Sequence, residues 1–111
     1  MTRRTTVCAA MLAALILAGS AGAVPRRWRA PAWWLQAALC IHAHEGAWNA
    51  NTGNGYYGGM QFLLSTWRSV GGPSYPHLVS PREQLYRAWL VWRRDGGSFR
   101  EWGTAGMCGL R

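Results

Sequence analysis

Lysine is absent from this chain: all twelve basic residues are arginine, set against four carboxylates. The arginines are scattered and follow no recognised nucleic-acid-binding pattern, so basicity alone does not make a nucleic-acid interface. The bias toward arginine is as consistent with a GC-rich genome as with any partner. The shortage of acids leaves only Glu45, Glu83, Asp95 and Glu101 for carboxylate chemistry. No apolar run is long enough to span a bilayer as a stable helix, the longest being Val7 to Ala18. There is no internal repeat, and no His-Glu-x-x-His pair to place two metal ligands on one helical face. With 111 residues there is room for one domain at most.

What the N-terminus does have is the pattern of an export signal. Arg3 and Arg4 precede the apolar run, and Ala21-Gly22-Ala23 offers a small-residue cleavage site. Residues 1–23 are therefore expected to be a signal peptide, with an uncleaved membrane anchor as the alternative. A lipoprotein cysteine would sit at the cleavage site; Cys8 precedes most of the apolar run, so that reading is rejected. Cys40 and Cys108 then remain, and an even count in an exported chain predicts one disulfide. A domain this small is marginal on core burial alone. A bridge closing most of it would add about 4 kcal/mol, mainly by restricting the unfolded chain. The eight tryptophans supply much of the possible core. With the leader set aside the charge remains clearly positive, which would draw an exported protein to the anionic cell wall.

Residues 24–31 read as a basic, proline-flanked linker, and residues 32–111 as the folded domain. The first helix is expected from about Pro31 to Glu45, stopped by Gly46, apolar over most of its circumference and so largely buried. Asn-Gly at 54–55 predicts a turn or small hairpin in the Asn/Gly-rich segment that follows. A short helix is expected over Leu64 to Val70 and a loop over Ser74 to Val79. A third helix has Ser80 as N-cap, Pro81 at its first position and Glu83 completing a capping box. Leu85, Ala88, Trp89 and Trp92 form its buried face, with Arg87 and Arg94 toward solvent. One more turn is expected over Ser98 to Trp102.

Among the four carboxylates, Glu83 has its capping role, Asp95 lies at a helix end and Glu101 in a polar turn, so all three read as solvated surface groups. Glu45 differs. At about 100° per residue, Trp34, Ala38, Ile41 and Glu45 share one helical stripe. A carboxyl set against apolar walls is driven toward its neutral form, and a neutral carboxyl can donate a proton to a leaving oxygen. The bland alternative is a helix-end carboxylate turned to solvent. Cys40 lies about 140° around the same helix, so a bridge there would leave Glu45 free to face a cleft. His42 and His44 are two apart, on different sides of a helix, and no metal site is read from them. Trp48, Tyr56, Tyr57 and Trp67 surround the polar loop; rings with a polar handle suit sugars, with Asn51, Thr52, Asn54 and Gln61 as hydrogen-bonding partners. For Trp67, core is the better reading.

The stretch Asn51-Thr52-Gly53-Asn54-Gly55-Tyr56-Tyr57-Gly58-Gly59-Met60-Gln61-Phe62, followed by Ser65-Thr66-Trp67, closely resembles resuscitation-promoting factors of actinobacteria. Arg82-Glu83-Gln84, and Trp102-Gly103 before the last cysteine, extend the resemblance over about Trp33 to Cys108. It implies an α+β, mostly helical, lysozyme-like domain with a short irregular β-like element lining a cleft. It also implies cleavage of peptidoglycan glycan strands, with Glu45 as the catalytic carboxylate and Gln61 and Thr66 near substrate. Three departures stand out. His44 precedes Glu45 where the family usually has cysteine, the segment between Glu45 and Asn51 is about two residues short, and Leu63 replaces a polar or acidic residue.

With one good carboxylate, the expected reaction is that of a lytic transglycosylase, which needs no water-activating base. Muramidase hydrolysis follows if Asp95 or Glu101 enters the cleft. A non-catalytic glycan-binding or signalling module is the alternative from another class. The expected substrate contacts are Trp48, Asn51, Thr52, Asn54, Tyr57, Gln61 and Thr66, with Cys40 and Cys108 bridged. No cofactor, metal or nucleic acid is implied. The expected setting is a secreted monomer at the cell wall, with a second cell-wall hydrolase as a conceivable partner.

Overall fold

The computed structural model describes residues 22–111; the expected leader, apart from its last two residues, lies outside them. Helix α1 (Ala32–Glu45) is followed by a two-stranded antiparallel sheet, β1 (Tyr56–Tyr57) and β2 (Phe62–Leu63). Then come α2 (Leu64–Ser69), a 3-10 turn (Pro76–Leu78), α3 (Pro81–Arg94) and a 3-10 helix (Gly103–Cys108). The molecule is mostly helical with a small sheet, as expected. The loop expected over Ser74 to Val79 contains the 3-10 turn. The turn expected over Ser98 to Trp102 is present: Arg100 and Glu101 form it, closed by the Trp102 N–H donating to the Phe99 carbonyl at 3.0 Å.

Helix α1 starts directly after Pro31 and stops where Gly46 leaves helical geometry. It buries a narrower face than its composition predicts. Trp34, Ala38 and Ile41 are fully buried, whereas Trp33 and Leu39 remain 59% and 41% exposed. Only one stripe meets the core, because the elements packed on α1 cover one side of it. Trp34 and Ile41 join Met60, Phe62, Trp67, Val91, Phe99 and Trp102 in that core. Trp34 contacts Trp89 edge-on at 5.3 Å and stacks on Phe99 at 5.8 Å.

Helix α3 begins as its cap predicts, with Ser80 Oγ accepting from the Glu83 N–H at 3.1 Å. Its outward face does not follow the prediction. Arg87 is fully buried. It donates to the Val70 carbonyl at 2.9 Å and to the Gly22 carbonyl, and pairs with Glu83 at 3.2 Å. The Glu83 carboxylate does not complete the expected capping box: among the described residues it makes no bond to the Ser80 N–H and instead faces a buried guanidinium one turn along. Charge assigned Arg87 to water, but the Val70 carbonyl and the Glu83 carboxylate hold its terminal nitrogens inside, while its Nε makes no hydrogen bond among the described residues. Leu85, Trp89 and Trp92 are half-buried and Ala88 fully buried, as their spacing predicts.

The β1–β2 loop depends on α3. Gln84, fully buried, accepts from the Gly59 N–H at 2.8 Å and donates to the Trp48 and Val79 carbonyls at 3.0 and 3.1 Å. Gly58 has φ +79, and a Cβ there would collide with Gln84 Oε1. Residues ahead of α1 are held as well. Arg82 donates to the Pro25 and Trp28 carbonyls at 2.9 and 3.0 Å, and its guanidinium lies over the Trp28 ring.

Candidate functional site

Glu45 is the last residue of α1 and continues the stripe of Trp34, Ala38 and Ile41. The stripe is apolar beneath it, but the space in front of it is not. A cleft of about 330 Å³ is lined by Glu45, Asn54, Tyr56, Gln61, Glu101, Trp102, Gly103 and Thr104. Glu45 is half-buried, and one carboxyl oxygen accepts from Thr104 Oγ1 at 2.9 Å. Its other oxygen makes no hydrogen bond among the described residues. A smaller hollow of about 80 Å³ adjoins, walled by Tyr56, Gln61, Phe62, Leu63, Thr66, Glu101 and Trp102.

The Asn/Gly-rich segment builds one wall. Asn51 bridges Tyr57 across a turn, with Asn54 Oδ1 accepting from the Tyr56 N–H at 3.0 Å. The sheet then registers Tyr56 against Leu63 and Tyr57 against Phe62. Gln61, just before β2, has φ +48, a left-handed conformation that costs a side-chain-bearing residue about 1–2 kcal/mol. Its amide is tied down: Nε2 donates to the Gly58 carbonyl at 2.9 Å, and Oε1 accepts from Asn54 Nδ2 at 3.4 Å. A polar side chain held in a strained backbone at the mouth of a cleft is a candidate ligand contact.

The structure brings Glu45, Asn54 and Gln61 into one cleft and Thr66 into the adjoining hollow. The other expected contacts lie outside those walls. Trp48 stacks on His42 at 3.8 Å, and Tyr57 stacks on His77 at 5.4 Å beside Tyr75. Asn51 and Thr52 are exposed on the turn. Trp67 is fully buried, as preferred from sequence.

Several cleft residues escaped the sequence reading. Trp102-Gly103 enters the sequence reading only as a similarity, whereas Tyr56, one of the rings expected around the polar loop, does line the cleft. Thr104 had no signal except that it follows this pair. Glu101 was read as a solvated turn residue, which its exposure supports, yet it walls both cavities. Asp95 corrects the surface reading more strongly. Its side chain is only 5% exposed, with Arg100 at 3.2 Å and Arg94 at 3.8 Å. A hydrogen bond to Asp95 is the main reason the Glu101 carboxyl is held above its ordinary pKa; burial and the charge of Asp95 add to this, and Arg94 and Arg100 oppose it.

His42 and His44 face apart. His42 Nδ1 lies 2.8 Å from the Gly59 carbonyl, whereas His44 has its ring nitrogens beside Cys40 and Cys108. Those two cysteines form the expected disulfide, with Cα atoms 6.0 Å apart, which occupies both sulfurs.

A family model described as the Transglycosylase-like domain matches residues 30–105 of this chain. The chain is 38% identical over 110 residues to a resuscitation-promoting factor, Rpf, of Micrococcus luteus, covering 96% of this chain and 46% of that protein. It is 44% identical over 64 residues to RpfE of Mycobacterium tuberculosis, covering 58% of this chain and 36% of the relative. The corresponding figures for Rpf1 of Corynebacterium glutamicum are 44% over 63 residues, 57% and 29%. The chain thus spans less than half the length of each of these relatives.

Proposed function

Because this chain belongs to the transglycosylase-like domain family, we propose that it cleaves the glycan strand of peptidoglycan, with Glu45 as general acid and base. The observation that carries this is the placement of Glu45. It is one of two carboxylates on the cleft, mounted on a buried helix, with one oxygen fixed by Thr104 and the other free for proton transfer. Protonated Glu45 donates to the oxygen joining N-acetylmuramic acid to the next sugar, and the bond from that oxygen to the muramic C1 breaks. The 6-hydroxyl oxygen of the same muramic residue bonds to C1, and its proton passes to the Glu45 carboxylate. The products are a 1,6-anhydro end and a free hydroxyl, without consumption of water and with Glu45 restored. Asn54, Gln61 and Thr66 hold the sugars. Trp48, Asn51, Thr52 and Tyr57 act at more distant subsites or by supporting the loop.

A second reading has one observation in its favour. Glu101 lines the same cleft, so it could take a proton from a water attacking C1, which would make the reaction muramidase hydrolysis. Mass spectrometry of peptidoglycan digested with wild type, Glu45→Gln and Glu101→Gln separates the two. Anhydro-muropeptides from wild type and Glu101→Gln, but not Glu45→Gln, are expected. Reducing ends that disappear with Glu101→Gln would establish hydrolysis. Equal release by Glu45→Gln would remove Glu45 from the chemistry, and no release by wild type would leave a glycan-binding module.

The proposed site of action is the cell wall outside the cell, residues 1–23 being removed on export and residues 32–111 forming the catalytic domain. N-terminal sequencing of the exported protein should begin at Val24.

A further inference from the structure

Two ties join α1 to the C-terminal 3-10 helix. One is covalent, Cys40 to Cys108; the other is the hydrogen bond from Thr104 Oγ1 to Glu45 Oε1 at 2.9 Å. Their spacing matches. Cys40 and Glu45 are separated by about 7.5 Å of rise along an α-helix. Thr104 and Cys108 are separated by about 8 Å along a 3-10 helix. The pairing is reversed, earlier residue on one segment with later residue on the other, so the segments lie antiparallel with two rungs of nearly equal spacing. One rung carries the disulfide and the other the proposed catalytic acid.

The Thr104 end of the 3-10 helix is also anchored. Trp102 is buried and donates its indole N–H to the Met60 carbonyl at 2.8 Å, and Ala105 is buried in the core. Thr104 therefore cannot drift with the surface, and its hydroxyl is held at one place beside Glu45. A hydroxyl can donate to an ionised carboxylate and accept from a protonated one. It thus serves Glu45 in both of the protonation states that acid–base cleavage requires, while its single bond leaves the second carboxyl oxygen to the substrate.

We propose that Thr104 is the positioning residue for Glu45, and that the Cys40–Cys108 bridge sets the register that keeps its hydroxyl against that carboxylate. The inference rests on Glu45 being catalytic. Thr104 does not itself meet the reacting atoms. It restricts the rotation of a side chain that would otherwise sample several rotamers at a helix end, and so raises the fraction of bound complexes ready to react.

The test is initial-rate kinetics on soluble uncrosslinked glycan strands with Thr104→Val, Thr104→Ser, Cys40→Ser/Cys108→Ser, the combination of Thr104→Val with the cysteine pair, and Glu45→Gln. Thr104→Val is nearly isosteric and should lower kcat about ten- to a hundredfold, the worth of a hydrogen bond to a charged group, with KM within about twofold. Thr104→Ser should recover most of the rate. The cysteine pair should also lower kcat, and adding Thr104→Val to it should cost little more, since residues acting as one unit are not additive. A merely structural role for Thr104 would move thermal stability instead, without the kcat-against-KM split or the serine rescue.

Wild-type kcat in Thr104→Val, beside an inactive Glu45→Gln, would overturn the proposal and leave the catalytic reading intact. Full additivity with the cysteine pair would overturn the part assigned to the bridge. An active Glu45→Gln would overturn both readings together. Should the cysteine variant not fold, as circular dichroism will show, the Thr104→Val and Thr104→Ser pair decides the role of the hydroxyl, and mild reduction of the folded protein takes its place for the bridge.

Discussion

At the scale of single residues, Arg87 and Glu101 depart furthest from what their side-chain type suggests. Arg87 is an arginine at full burial, stabilised by the Val70 carbonyl and Glu83, which remain after the proposed cleavage takes away its third acceptor, the Gly22 carbonyl. Removing it leaves Glu83 without its cation, and breaking a buried pair in this way costs about 3–5 kcal/mol. Arg87→Ala should lose that much in urea denaturation, whereas Arg93→Ala, exposed on the same helix, should stay within about 0.5 kcal/mol of wild type. Glu101 has a pH signature. Its hydrogen bond to Asp95, then burial, then the charge of Asp95 raise its folded pKa above the ordinary 4.5. The folded chain therefore binds more protons than the unfolded one between 4.5 and the raised value, so this group's contribution to stability falls as pH rises through that window. Denaturant midpoints followed upward from pH 4 should show a small decline in wild type that Glu101→Gln lacks. Identical slopes would assign the decline to other groups.

At the scale of elements, the sheet and its loop show how a two-residue strand pair becomes a defined wall. Two-residue strands have little stability of their own. Here the loop between them is bonded by Gln84 from α3, which leaves no room at Gly58 for a side chain. Gly58→Ala meets two obstacles: a left-handed backbone that costs alanine about 1–2 kcal/mol, and a clash that displaces Gln84 from its three bonds. The expected loss in thermal or urea denaturation is at least about 2 kcal/mol when a buried amide's partners are added. A loss below about 0.5 kcal/mol would mean that Gln84 moves freely aside, since well-accommodated substitutions fall in that range.

At the scale of the whole molecule, the disulfide closes a loop with a sequence separation of 68, so it constrains most of the folded domain. Chain entropy alone assigns such a bridge about 4 kcal/mol. Reduction should lower the urea midpoint correspondingly, and an unchanged midpoint would mean that the tryptophan-rich core suffices. The positive charge of the chain acts at this scale too. It favours accumulation on an anionic polymer through long-range attraction and carries no information on chemistry.

The sequence by itself determined the limits of α1 and the starts of α2 and α3, because caps, prolines and glycines act through neighbours in the chain. It determined that Glu45 prolongs an apolar stripe, because helical periodicity is a local rule, and it pointed to the pairing of Cys40 with Cys108. Only the tertiary structure decided what lies opposite Glu45. Thr104 and Glu101 are 59 and 56 positions away from it, with no periodicity linking them, and they reach its cleft because the 3-10 helix folds back onto α1. Tertiary structure also decided that Arg87 goes inside, since the Val70 carbonyl that accepts from it belongs to another segment. It set Trp48 and Tyr57 outside the cleft walls as well, through stacking partners at His42 and His77 that no spacing along the chain reveals.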